Sequence, residues 1–365
     1  MCSMQKAWLC LLRTDPHDHK LYKIYLEELR SLVGAAGYTV IGETIQTRRK
    51  PHVSLLFGRG KLEELKEVKR QNDVDVFVFF NILSTIQYYN LSSILGNVID
   101  RYDLTLQIFE EMSMDRVSKL QIELARLRKH IPIIKLLESI RFKSGREHPG
   151  PRSLGEYAYH RKLVNLVRRR KKIERELQRY RRMHSLHRRK RRKLGIPTVC
   201  LTGYYNAGKT TLFNLLTGQE KPVSPRPFTT LSSKYSKVQG LDVFLIDTIG
   251  FMTGLDPQLI ESFSITLEDI KESDLVLNVI DIAENNIELL KLRYREVVNQ
   301  LKRLGIEEHR IVYVLNKIDL LSDIDLEYRV KYLNLENESY VPISAKRGEN
   351  ISLLTEAVAR KLANK

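Results

Sequence analysis

Apolar positions in the first hundred residues come in short blocks with two different periods. Residues 7–12, 38–44, 53–57 and 74–80 read as strands, whereas 21–33, 61–69 and 82–95 read as helices with apolar residues three and four apart. Such alternation predicts a small, mostly parallel sheet with helices packed on it. Downstream the pattern turns purely helical. Val117, Leu120, Leu124, Leu127 and Ile131 keep heptad spacing without a break, and Leu163, Leu166, Ile173, Leu177 and Tyr180 repeat it with Arg170 interrupting. Two antiparallel helices bury both stripes. With no proline between Arg152 and Ile196, the second is expected to span 156–193, about 57 Å at 1.5 Å per residue. Strand-like runs return at 196–202, 243–247, 311–315 and 340–343, and a helix at 212–217 is closed by Gly218.

The expected fold class is therefore α/β in three parts: an N-terminal α/β module over 1–103, a long antiparallel helical hairpin over 104–194, and a second α/β domain over 195–365, for which the short glycine-, aspartate- and asparagine-centred signatures of that stretch, rather than its periodicity, predict a Ras-like P-loop fold with a mostly parallel six-stranded sheet.

Composition adds one strong feature. A 365-residue chain with 42% hydrophobic and 29% charged residues is globular with length for more than one core, and no apolar run approaches the length of a membrane span. The N-terminus lacks a signal-peptide pattern, and Cys2, Cys10 and Cys200 have neither metal-ligand spacing nor disulfide density, so a reducing, cytoplasmic setting is expected. The net charge of +17 is concentrated. Between Arg161 and Lys193 stand 17 Lys or Arg against two Glu, and the rest of the chain is nearly neutral. Past Tyr180 the apolar stripe stops while the charge continues, so this end is expected to project away from any protein core and meet a polyanion, with Arg181, Arg182 and Arg188, Arg189, Lys190, Arg191, Arg192 and Lys193 on RNA phosphates. His184 and His187 read as solvated. Membrane contact is disfavoured, because the opposite face offers no aromatic wedge and the chain has no lipidation motif. DNA is not an expected partner.

The chemistry lies in five short signatures in fixed order. Gly203-Tyr204-Tyr205-Asn206-Ala207-Gly208-Lys209-Thr210, followed by Thr211, is a P-loop pattern between a strand and a helix. Its glycines let backbone N–H groups face phosphate oxygens, the helix N-terminus adds a positive dipole end, Lys209 bridges the β- and γ-phosphates, and Thr210 offers a hydroxyl to Mg²⁺. Asp247-Thr248-Ile249-Gly250 puts a carboxylate at a strand end to hold Mg²⁺ through water and a glycine N–H at the γ-phosphate. Asn316-Lys317-Ile318-Asp319 reads the base: the Asp319 carboxylate accepts from guanine N1–H and N2–H₂ together, the Lys317 stem lies along the ring, and a group of this kind left unpaired rejects the wrong base by roughly 10⁴. Ser344-Ala345-Lys346 places the Ala345 N–H on guanine O6. Thr230 completes the set. The expected ligand is GTP, with Lys209, Thr230 and Gly250 carrying catalysis and Thr210, Thr230 and Asp247 the metal. Phe251 occupies the place where Ras-like enzymes carry the glutamine that orients water, so turnover by the isolated protein is expected to be slow and raised by a partner or a monovalent cation. Asn206, at the fourth P-loop position, resembles the potassium-coordinating asparagine of cation-activated GTPases, which adds K⁺ as a candidate. In the N-terminal part, Gly58-Arg59-Gly60-Lys61 opens a helix but alone reads as a tight turn.

Taken together the chain resembles the HflX GTPases of the translation-factor-related class. The resemblance runs through Phe57-Gly58-Arg59-Gly60-Lys61-Leu62-Glu63-Glu64-Leu65, Asp100-Arg101, Gln107-Ile108-Phe109, Lys119-Leu120-Gln121-Ile122-Glu123-Leu124-Ala125, the P-loop, Phe228-Thr229-Thr230-Leu231 with Ser232 beside it, and Asp247 to Phe251, including the apolar residue in place of glutamine. It implies that Thr230 is the switch threonine reaching Mg²⁺ in the GTP state. It also implies GTP-dependent action on the large ribosomal subunit and its RNA, in splitting, rescue or assembly. Two departures stand out. The family's Gly-x-Gly-x-x-Gly-Pro-Gly-Glu segment is replaced over 145–156 by a sequence with fewer glycines, and 19 residues follow Lys346, enough for one closing helix, where many bacterial members continue into a small C-terminal domain. Two rival readings remain from sequence: a signalling or trafficking GTPase, for which no anchor is visible, and an RNA-modification GTPase, for which no second active site is visible.

Overall fold

A computed structural model of the chain describes residues 4–15, 20–143, 154–220, 233–253, 257–336 and 338–363. It divides into two compact units, one formed by Met1–Glu111 with Lys119–Leu177 and the other by Met112–Ser118 with Gln178–Lys365.

The first unit opens with β1 (Lys6–Arg13), α1 (Leu21–Ala35), β2 (Thr39–Thr47), α2 (Arg59–Asn72), β3 (Val76–Phe79), α3 (Thr85–Leu95), β4 (Val98–Asp100) and α4 (Arg101–Met112). All strand pairs are parallel and the sheet order is β2-β1-β3-β4. Ser84 caps α3 by accepting from the Gln87 N–H while the Gln87 side chain reaches back to the Ser84 N–H, a reciprocal capping box. Phe57, Leu65, Phe77, Phe79 and Leu91 pack one core at 1% exposure or less. The expected strand at 53–57 is not formed. Leu56 has φ of +62°, outside any strand conformation, and His52 and Leu56 exchange backbone bonds across a tight loop. The apolar run is real, but Leu56 and Phe57 are buried by the loop.

The two long helices are α5 (Arg116–Lys143), which continues through Pro132, and α6 (Leu154–Lys193). Within the first unit Leu120, Leu124, Leu127 and Ile131 are buried, as are Ile173 and Leu177, and Arg169 forks onto both Glu123 carboxylate oxygens at 2.6 and 2.7 Å. The glycine-poor segment 145–156 lies largely outside the described residues.

The second unit continues with β5 (Thr198–Gly203), α7 (Lys209–Thr217), β6 (Lys234–Lys237), β7 (Phe244–Asp247), α8 (Pro257–Ser262), α9 (Ser264–Glu272), β8 (Leu275–Asp281), α10 (Ile287–Arg303), β9 (Ile311–Asn316), α11 (Asp323–Tyr332), β10 (Tyr340–Ile343) and α12 (Ile351–Ala363). The six-stranded sheet has order β10-β9-β8-β5-β7-β6, parallel except for the edge strand β6. Strands β5, β8 and β9 are buried along almost their whole length and mostly apolar because helices cover both faces, and each fully buried Leu or Val contributes about 1.5–3 kcal/mol of transfer free energy. The P-loop, Asp-x-x-Gly, Asn-Lys-x-Asp and Ser-Ala-Lys signatures fall at the carboxyl ends of the parallel strands β5, β7, β9 and β10, the end where ligands bind in sheets of this kind.

The end of α6 beyond Tyr180 is not free of protein. Arg181 donates to Glu268 at 2.6 Å and to Ser264 Oγ at 2.8 Å, Arg188 donates to the fully buried Asp269 at 2.9 Å, and the Arg191 guanidinium lies 4.2 Å from the Tyr235 ring centre. His184 is half-buried in the same seam. The expectation that Arg181, Arg188 and Arg191 all point outward is corrected: one face of the helix docks on α9 and β6. Arg179, Arg182, Arg189 and Lys193, at spacings of three, seven and four residues that line up along a helix, form the exposed face with Lys190 beside them. Among the described residues no helix is long and apolar enough to cross a membrane.

Candidate nucleotide site

β5 ends in Gly203, whose φ of +137° suits glycine and whose hypothetical Cβ would stand 2.1 Å from the Val279 carbonyl oxygen of β8. Gly208, at φ +95°, starts α7 and leaves room for the Asn316 amide, which a Cβ would meet at 2.2 Å. That amide braces two loops. Asn316 Nδ2 donates to the Ala207 carbonyl at 2.8 Å, and its Oδ1 accepts from the Ala345 N–H at 2.9 Å. Asn316, expected at the base, thus ties the P-loop to the Ser344-Ala345-Lys346 loop, and the Ala345 N–H expected on guanine O6 is engaged with it. Asn206 takes the left-handed conformation.

Lys209 turns its ammonium back onto the loop, donating to the Gly203 carbonyl at 3.2 Å and the Tyr204 carbonyl at 2.7 Å. Burial pulls its pKa down to about 8, against the opposing pull of Asp247. Next to it Thr210 Oγ1 stands 3.4 Å from Asp247 Oδ2, both groups buried. A hydroxyl and a carboxylate at that spacing are the hard oxygen donors Mg²⁺ takes while keeping several waters, so the residues fit the ion. Thr248 is fixed by its hydroxyl donating to the Leu201 carbonyl at 2.7 Å, and Ile249 is buried. Gly250 lies against Lys209 and the Tyr205 backbone, and Phe251 is buried in the core at 2% exposure. Phe228, Thr229, Thr230, Leu231 and Ser232 lie outside the described residues.

The base-reading loops enclose a cavity of about 360 Å³ lined by Gly208, Thr211, Lys317, Asp319, Leu320 and Lys346 among others. Asp319 Oδ1 accepts from Ser344 Oγ at 2.7 Å, and its carboxyl is 3.7 Å from Arg347. Lys317, at φ +72°, pairs with Asp281. Ile318 opens the short 3-10 turn that carries Asp319. Sequence reading passed over Asp281 and Arg347. Asp281 gave the same signal as Asp247, an apolar strand ending in aspartate; Arg347 simply follows Ser344-Ala345-Lys346.

A six-stranded sheet that sets an Asp-x-x-Gly loop beside a P-loop, with the P-loop, Asn-Lys-x-Asp and Ser-Ala-Lys loops lining one cavity, is a P-loop GTPase. Residues 198–317 match the family model described as 50S ribosome-binding GTPase, and residues 23–110 the one described as GTP-binding GTPase N-terminal. Curated relatives include GTPase HflX of Thermofilum pendens, 40% identical over 93% of this chain and 80% of the relative, and GTPase HflX of Hyperthermus butylicus, 35% identical over 93% and 92%. A crystal structure of a protein called SsGBP with GDP shares the fold at 24% identity, covering 99% of each chain with a TM-score of 0.51. The chain belongs to the HflX family of GTPases, and it binds and hydrolyses GTP.

Proposed function

We propose that the protein acts in the cytoplasm as a GTP-dependent factor on the large ribosomal subunit, holding ribosomal RNA with the exposed face of α6. The observation that carries this reading is the two-sided end of that helix. Arg179, Arg182, Arg189, Lys190 and Lys193 face solvent, while Arg181 and Arg188 anchor the opposite side to α9, a helix that follows the Asp247 to Phe251 loop in sequence. The RNA-bound face and the helix that follows the nucleotide-sensitive loop are thereby joined through α6. Counterion release supplies affinity, and ordering of Thr230 and the Gly250 loop supplies the switch. The description of the matched family model, 50S ribosome-binding GTPase, supports the same partner.

In this reading residues 1–103, 104–194 and 195–365 serve as ribosome-facing module, RNA-binding hairpin and motor. Lys209 and the loop N–H groups hold the β- and γ-phosphates, Gly250 contacts the γ-phosphate, and Asp319 selects guanine. Thr210, Asp247 and Thr230 hold Mg²⁺, which when bound neutralises phosphate charge, and Asn206 is the candidate K⁺ contact. With the Phe251 ring in the core, water is placed by something outside the isolated chain. Purified large subunits should therefore raise GTP turnover at least severalfold, and replacing Na⁺ by K⁺ should add to it only through Asn206. Rapid turnover by the protein alone, indifferent to subunits, would refute the reading.

A further inference from the structure

The segment after Asp247-Thr248-Ile249-Gly250 is fastened to the P-loop around a single residue. The Phe251 N–H donates to the Gly203 carbonyl at 3.0 Å and the Tyr205 N–H donates to the Phe251 carbonyl at 2.9 Å, a short parallel bridge that brackets Tyr204. Two residues on, the Thr253 N–H donates to Tyr204 Oη at 2.9 Å, and Thr253 Oγ1 lies 2.6 Å from the same oxygen. Tyr204 and Thr253 are both buried. Held this way, Gly250 has no room for a side chain: a Cβ there would stand 3.0 Å from both Lys209 Nζ and Tyr205 Cα. The segment covers the lysine that a terminal phosphate must reach, and the lysine meanwhile bonds to loop carbonyls.

We propose that Tyr204 is a positioning residue whose hydroxyl, bonded to Thr253, holds residues 250–253 down over Lys209, so that this segment must lift before a third phosphate can be seated. A diphosphate needs the P-loop N–H groups and Lys209 but not the Gly250 N–H; the third phosphate is the one that meets Gly250. Tyr204 therefore sets the preference between GTP and GDP by taxing only the triphosphate. The free fraction of open protein divides directly into apparent affinity. The inference uses the family's hydrolytic activity and not the ribosomal partner.

Tyr204→Phe isolates the hydroxyl, because the ring keeps its stacking on Tyr205, with centroids 4.8 Å apart, and its place 5.0 Å from the Arg293 guanidinium. Thr253→Val removes the other hydroxyl at nearly constant volume. In the full-length protein without ribosomes, each variant should raise kcat/KM for GTP roughly three- to tenfold, the shift expected from one lost net hydrogen bond. With chemistry slow, KM reports affinity, so the gain should appear in KM. GDP affinity should stay within twofold of wild type, about the scatter of such a measurement. The double variant should match Tyr204→Phe, because Thr253→Val removes only the Oγ1 contact, whereas Tyr204→Phe removes that contact and the bond from the Thr253 N–H. Equal shifts in GTP and GDP affinity, a fall in kcat/KM, or additive effects in the double variant would each overturn the proposal.

Discussion

Each unit buries a lysine near the carboxyl ends of a parallel sheet, yet the two are satisfied by different partners. In the first unit, Lys129 of α5 meets two carboxylates, Asp100 at 2.5 Å and Asp103 at 2.6 Å, and lies near the Tyr102 and Tyr88 rings. Asp100, the last residue of β4, also accepts from the Leu83 and Asp103 N–H groups. In the second unit, Lys209 donates only to neutral carbonyls, while the nearest acid, Asp247, sits with Thr210. Where the fold supplies the counter-charge, the ion pair closes a core and leaves nothing for a ligand. Where it supplies only carbonyls, burial lowers the lysine's pKa to about 8, and in the proposed function its positive charge is left for an incoming phosphate.

The comparison is sharpest at the base. Asp319 is held by Ser344 in an otherwise open cavity, so Asp319→Asn should cost roughly 10⁴ in GTP affinity while gaining xanthosine triphosphate, because the amide now presents a donor where guanine also has one. Competition binding with both nucleotides reads this directly, and unchanged GTP binding would remove Asp319 from the site. The two lysines come next. Lys209→Ala should lower kcat/KM by about 10²–10³ with an unfolding midpoint close to wild type. Lys129→Ala should do the reverse, destabilising by about 3–5 kcal/mol because it leaves Asp100 charged and buried, with turnover per folded molecule preserved. Paired denaturation and turnover assays that gave both variants the same phenotype would break the distinction.

Titration separates the units more gently. In the proposed function nucleotide binding uses the Lys209 ammonium, which the free protein loses as pH rises through about 8, so GTP affinity should be flat below about pH 7 and fall about tenfold per unit well above 8. The acid in the first unit acts on stability instead. Burial, then the neighbouring Asp100 charge, pushes Asp103 up to about 6 from 3.8. The folded state therefore binds a proton before the unfolded chain does, and this group's contribution rises as pH falls from about 6 toward 4. The difference in melting temperature between wild type and Asp103→Asn should follow that window, with no matching change in GTP affinity.

Much of this was legible in the sequence. Four of the five signatures located the second unit because each is a local run of residues delivered by a strand end, Thr230 lies outside the described residues, and α6 was visible from its heptad stripe and lack of proline. What escaped has physical causes. The 53–57 run carried the apolar signal of a strand, but the left-handed turn at Leu56 leaves no local trace. β4 has three residues and runs straight into α4, so the expected boundary at 103 falls inside a helix. β6 is polar, Lys-Tyr-Ser-Lys, as an edge strand can be. The docking of Arg188 on Asp269 joins residues 81 apart, which no periodicity reveals, and a charge run looks alike whether its arginines meet protein or water.

The two-sided basic helix is the claim on which the ribosomal reading rests, and salt tests it directly. Co-sedimentation with large ribosomal subunits should be stronger with a GTP analogue than with GDP, and should weaken with salt at a log–log slope of roughly −0.7 to −0.9 per phosphate contact. Replacing Arg182, Arg189, Lys190 and Lys193 with glutamine should flatten that slope and lower subunit affinity while leaving GTP binding by the free protein unchanged. If the quadruple variant binds subunits as wild type does at every salt concentration, the exposed face of α6 is only a solvated surface and the account is wrong.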